Sequence, residues 1–256
     1  MRKLLSVVFV VFGFAVQAQQ PPSEAEIARI LGEIETLPGM RESLMRSGFE
    51  GENLDVALEQ IGIILGDREI AAHLAQRILA AGRGDWATAQ AAQGLIRPLL
   101  DRGMSHLSPR ELSYFYQVEQ TVLNAMPKRD CGRAFQNRIA PDVLAQRTAR
   151  VAARLNTPAL REYYRIQYRA AKYGATRSAK PLSQALRTRV TARLKAELET
   201  AAEARPNGRA LMRTMADTDR ATVSAACEAG RFFLDVVMQI EPRARHEILL
   251  VLSEDT

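Results

Sequence analysis

Between Pro158 and Tyr173 the chain places four cations and four tyrosines within sixteen residues. Wound as a helix at about 100° per residue, Tyr163, Ile166, Ala170 and Tyr173 share one side. Arg161, Arg165 and Lys172 fall opposite, with Arg169 beside them. Tyr168 lies inside that basic face and Tyr164 on its edge. Just upstream, Arg147, Arg150 and Arg154 align in the same way beside an apolar stripe. Guanidinium forks match the oxygens of carboxylates and phosphates, and interleaved tyrosines can stack on flat groups such as sugars or bases. The chemistry these residues suit is recognition of an anion.

Bond-making chemistry has no comparable signature. There is no Gly-rich phosphate loop, no dinucleotide fingerprint and no nucleophile elbow. His73, His106 and His246 are isolated from one another and show no metal-ligand spacing, and two cysteines are too few for an all-cysteine metal site. No catalytic residue, metal or cofactor is therefore assigned. Glu42-Ser43 resembles the Glu-Ser start found in all-helical lysozyme-like enzymes. The motifs of that family do not follow, because Leu58-Glu59-Gln60-Ile61 reads as part of an amphipathic helix. An enzyme acting on cell-wall glycan stays as the alternative on that similarity alone.

The elements that must position these residues read as helices from end to end. Ser23 with Glu26, and Ser108 with Glu111, have capping-box spacing, the second followed by Pro at the first helical position. Thr157-Pro158 repeats the cap-then-Pro pattern, and Asn53, Asp67, Asp85 and Thr218 are further N-cap candidates. Pro127, Gly66, Gly103, Gly174, Pro206-Asn207-Gly208 and Pro242 read as stops. Between these marks the apolar residues recur every three or four positions, as in Leu54, Leu58, Ile61 and Leu65, or Val223, Cys227, Leu234 and Val237. The expected fold is all-α, an irregular bundle of about ten amphipathic helices in a single domain over residues 19–256.

The formal net charge of +6 hides a segregation. Residues 19–127 carry 9 basic and 15 acidic side chains, residues 128–195 carry 17 and 3, and residues 196–256 carry 7 and 11. The basic face thus belongs to a strongly cationic middle flanked by acidic ends. Arg outnumbers Lys throughout, so the same arginines also fit a solvated face, or internal pairing with the acidic flanks.

The first 18 residues read as a bacterial secretory signal: Arg2 and Lys3, an apolar run from Leu4 to Val16, and Val16-Gln17-Ala18 before a cut after Ala18. That run is shorter than the roughly 20 apolar residues a bilayer span needs, and no transmembrane span is expected in residues 19–256. Export to the periplasm or beyond sets Cys131 and Cys227 in an oxidising compartment, where they are expected to form one disulfide. It also disfavours nucleic acid as the ligand of the basic face. The anion is expected instead to be a lipid headgroup, a phosphorylated glycan or an acidic protein of the envelope. The functional expectation is a non-enzymatic binding or accessory protein, with a structural subunit of an envelope assembly as a further alternative.

Overall fold

The computed structural model describes residues 23–36, 39–81 and 89–254. The secretory signal, its cleavage point and the cap candidate Asp85 lie outside the described residues. Among those described there are thirteen α-helices, one short 3-10 turn and no strand, so the chain is all-α. The helices are α1 (Glu24–Gly32), α2 (Met40–Arg46), α3 (Gly51–Gly66), α4 (Arg68–Ala81), α5 (Ala89–Met104), α6 (Pro109–Ala125) and α7 (Lys128–Phe135), followed by α8 (Pro141–Ala152), α9 (Thr157–Thr176), α10 (Gln184–Glu203), α11 (Gly208–Ala216), α12 (Val223–Gln239) and α13 (Pro242–Glu254). The count exceeds ten because α1, α2, α7 and α11 are only seven to nine residues long. Pieces this short leave two turns or so of apolar periodicity to read. No described helix is long and apolar enough to cross a membrane.

Several starts form as the sequence dictates. Ser23 and Ser108 each accept the amide three residues on, while Glu26 and Glu111 reach back to the cap. Elsewhere the cap moves. Asn156, not Thr157, accepts the Ala159 amide and starts α9, and Thr222, not Thr218, starts α12. Asn53 lies inside α3, where its amide spans to the carbonyls of Ala153 and Leu155 at 3.0 and 2.7 Å. A short polar side chain that can cap can equally bond any backbone group the fold brings near.

The described residues gather into two compact units, each assembled from separate stretches of chain. The first, here the bridged unit, comprises α6, α7, α10 to α13 and the opening turn of α8. Its centre is a pair of helices, α7 and α12, joined by a disulfide between the fully buried Cys131 and Cys227. The bridge therefore links two stretches of one unit. The backbones approach closely: a Cβ on Gly132 would fall 1.8 Å from the Val223 carbonyl oxygen, and one on Gly230 would meet the Phe135 ring. Arg231 of α12 donates to the carbonyls of Leu123, Asn124 and Met126, satisfying the open C-terminal end of α6.

The second, unbridged unit holds α1 to α5, the rest of α8, and α9. Here α5 and α9 cross antiparallel with glycine against backbone in both directions. A Cβ on Gly103 would fall 1.7 Å from the Ala170 carbonyl oxygen, and one on Gly174 would fall 1.8 Å from that of Leu99. Gly103 and Gly174 thus lie inside helices as contact points, where the sequence suggested stops. Because α9 is flanked by α3, α4 and α5, it buries more than one stripe: Tyr163, Ile166 and Ala170 as the periodicity implies, and Tyr164, Gln167 and Ala171 as well.

Candidate functional site

The basic face of α9 is built, and much of its charge is answered within its own unit. Arg161 donates to Glu59 of α3 at 2.9 Å and lies 3.7 Å from Glu52. Arg165 makes a bidentate pair with Glu162, both bonds at 2.7 Å. Lys172 donates to both carboxylate oxygens of Asp67, at 2.9 and 2.7 Å, and to Glu69. Arg169 is exposed on the same helix and is not without a partner.

The two tyrosines do not present their rings as a stacking platform. Tyr164, expected on the edge of the basic face, is buried and stacked against Tyr163 with centroids 6.1 Å apart. Burial pushes its hydroxyl well above the ordinary tyrosine range. This position is a correction to the sequence reading, and its cause is the extra helix packed against that side of α9. Tyr168 is half-buried and donates its hydroxyl to Asp67 at 3.0 Å.

Asp67 is the hub that the sequence marked only as a cap. Its Oδ1 accepts the amides of Glu69 and Ile70 at the start of α4, as an N-cap should, while the carboxylate also receives Lys172 and Tyr168. Burial pushes its pKa up. The hydrogen bonds from Lys172, the Ile70 amide and Tyr168 outweigh that and hold it below the usual carboxylate range. For Lys172 burial works downward, and Asp67 and Glu69 outweigh it and raise its pKa. The contacts of Arg161, Tyr168 and Lys172 that tie α9 to α3 and to the start of α4 join residues about a hundred positions apart in sequence. The acidic N-terminal stretch and the basic middle, separate along the chain, meet in this unit. The segregated charges of the sequence were the signal for that pairing, but not for which residues pair.

On α8 the arrangement differs. Arg147 is half-buried and engaged. Arg150, in the last turn of α8, and Arg154, in the turn that follows the helix, are exposed, and among the described residues no carboxylate pairs with either. The cations that α9 uses to hold its unit together are thus followed, at the preceding helix, by cations left to solvent. Among the described residues no group of three or more His, Cys, Asp or Glu is placed to hold a metal ion. His106 points one ring nitrogen at the Ser178 carbonyl, 2.8 Å away, and Glu42 lies exposed on α2. Comparison with family models, with curated proteins and with solved structures finds no match for this chain.

Proposed function

We propose that this is an exported, non-enzymatic binding or accessory protein of the cell envelope, and that it docks a phosphate-bearing anionic partner, lipid headgroups first, through Arg150 at the end of α8 and Arg154 in the turn that follows it. The observation that carries the reading is the contrast between the two helices. Arg161, Arg165 and Lys172 spend their charge on carboxylates of their own unit, whereas Arg150 and Arg154 have none. An exposed guanidinium without a partner gives up little hydration shared with a neighbour when it meets a phosphate, and its planar fork suits that contact. Binding of this kind is salt-dependent, since surface charges are screened over about 8 Å at physiological ionic strength.

The test is co-sedimentation with vesicles containing phosphatidylglycerol, against pure phosphatidylcholine, at rising salt. Wild-type protein is expected to bind the anionic vesicles, and a double Arg150→Glu, Arg154→Glu variant to bind them at least about thirtyfold more weakly, at roughly 1 kcal/mol per basic residue near such a surface. Arg161→Glu with Arg165→Glu is expected to alter binding less, because those side chains are already paired. Binding that ignores salt and the Arg150 and Arg154 substitutions removes the proposal.

A further inference from the structure

His73, in the middle of α4, has its Nε2 3.0 Å from an Nη of Arg102 in the last turn of α5. A guanidinium only donates and stays charged, so this nitrogen must offer its lone pair. The imidazole is therefore neutral, with its proton on Nδ1. Arg102 depends on this contact, for its own Nε is buried with no hydrogen-bond partner.

Among the described residues, the acidic groups on the helices packed against α4 already have partners of their own. On α4 itself, Arg77 is one turn further on, and Glu69, one turn back, is bound by Lys172 of α9. From α9, Tyr168 and Lys172 are both committed to Asp67. From α1, Glu24 takes the amide of Gln76. From α3, Glu52 and Glu59 face Arg161, and on α5 Asp101 lies 3.8 Å from Arg97. Burial, then the charges of Arg102 and Arg77, hold the His73 pKa below its ordinary 6.5.

We propose that the His73–Arg102 contact is an acid-released latch between α4 and the end of α5. One proton from solvent on Nε2 replaces a donor–acceptor pair by an imidazolium facing a guanidinium, and the contact opens. The sign follows from linkage. The open form titrates at the ordinary value and the closed form lower, so the latch is fully closed above about pH 6.5. It loosens as pH falls from there toward the closed-form value and changes no further below it. This inference is independent of anion docking.

Hydrogen–deuterium exchange of the full chain at pH 7.5 and pH 5, corrected for the intrinsic pH dependence of amide exchange, tests it. Protection of Arg68–Ala81 is expected to fall by about tenfold for each pH unit by which the closed-form pKa lies under 6.5. His73→Gln, whose amide oxygen can still accept from Arg102 but cannot titrate, is expected to keep protection at pH 7.5 and lose the pH dependence. His246→Gln is expected to leave that dependence in place. The latch is overturned if α4 protection is the same at both pH values, or if His73→Gln responds as wild type does. An NMR titration of the imidazole needs no variant: a midpoint below 6.5 supports the latch, and one at or above 6.5 overturns it.

Discussion

In the unbridged unit a close glycine crossing joins α5, of 16 residues, to α9, of 20; in the bridged unit one joins α7, of only 8 residues, to α12, of 17. Both crossings use glycine to bring backbone against backbone. Long helices can hold such a contact by burying side chains along their length, as Ile96, Leu99 and Met104 do on α5 and Leu160, Tyr163 and Ile166 on α9. An eight-residue helix falls below the roughly 12 residues at which isolated helices become even marginal, and α7 buries just Cys131, Gly132 and Ala134. Its fastener is covalent instead. The comparison teaches that one packing device is stabilised by apolar area where the helix is long enough to supply it and by a disulfide where it is not.

The largest effect should come from breaking the covalent fastener. Cysteines 96 positions apart close a long loop, and the loop-entropy model assigns such a bridge about 4 to 5 kcal/mol. Cys131→Ser with Cys227→Ser is expected to cost about 4 kcal/mol in urea unfolding. Hydrogen exchange should locate the loss in α7 and α12 and leave α5 and α9 protected. Equal loss of protection in both units would mean that the chain unfolds as the single cooperative domain its sequence suggests, and would end the claim that each unit keeps its own fastener.

Somewhat smaller is the effect of filling the glycine contact of the unbridged unit. In an open helix Gly→Ala gains about 1 kcal/mol of propensity. At Gly103 the new methyl would overlap the Ala170 carbonyl, so the helices must part, and Gly103→Ala is expected to destabilise by about 3 kcal/mol. Gly66→Ala, where nothing lies within 4 Å, is the contrast: neutral or slightly stabilising by the same thermal melt. Equal behaviour of the two variants would show that the close crossing carries no weight.

What the sequence revealed and what it hid divide along physical lines. Local rules were legible: the Ser23 and Ser108 boxes, the apolar stripes and hence the all-α class all depend on residues within a few positions. So was the disulfide, because two cysteines allow one pairing. Long-range choices were not. Gly103 and Gly174 look like helix stops until their partners are known, since a glycine ends a helix and admits a neighbour for the same reason, the missing Cβ. Tyr164 looks like a surface residue until three helices are counted around α9. The candidate site was legible as a run of cations, but Arg161 and Lys172 are taken up by carboxylates about a hundred residues away, which no local pattern announces.

The smallest of these effects should come from the polar network around Asp67, which is more extensive than the exposed Lys128–Glu228 pair, 3.5 Å apart, that spans the bridged unit's crossing. Asp67 caps α4 and holds Lys172 and Tyr168 of α9 at once, so Asp67→Asn keeps the shape of the cap and removes the charge. A loss of about 1 to 2 kcal/mol at pH 7 is expected, the sum of a weakened cap and a weakened ion contact. The pH profile reads the share of that loss that depends on the Asp67 charge. Because the folded-state pKa of Asp67 is lowered, the stability it contributes is complete above its ordinary value near 4 and disappears as pH falls through the lower folded value. Because that of Lys172 is raised, its share is complete below its ordinary 10.5 and is lost only as pH rises through the higher folded value. Urea midpoints measured from pH 7 down to 2.5 should therefore fall less steeply in Asp67→Asn than in the parent. A variant with the parent's acid slope would mean that the Asp67 charge contributes nothing to the folded state, and would leave the glycine crossing as the fastener of its unit.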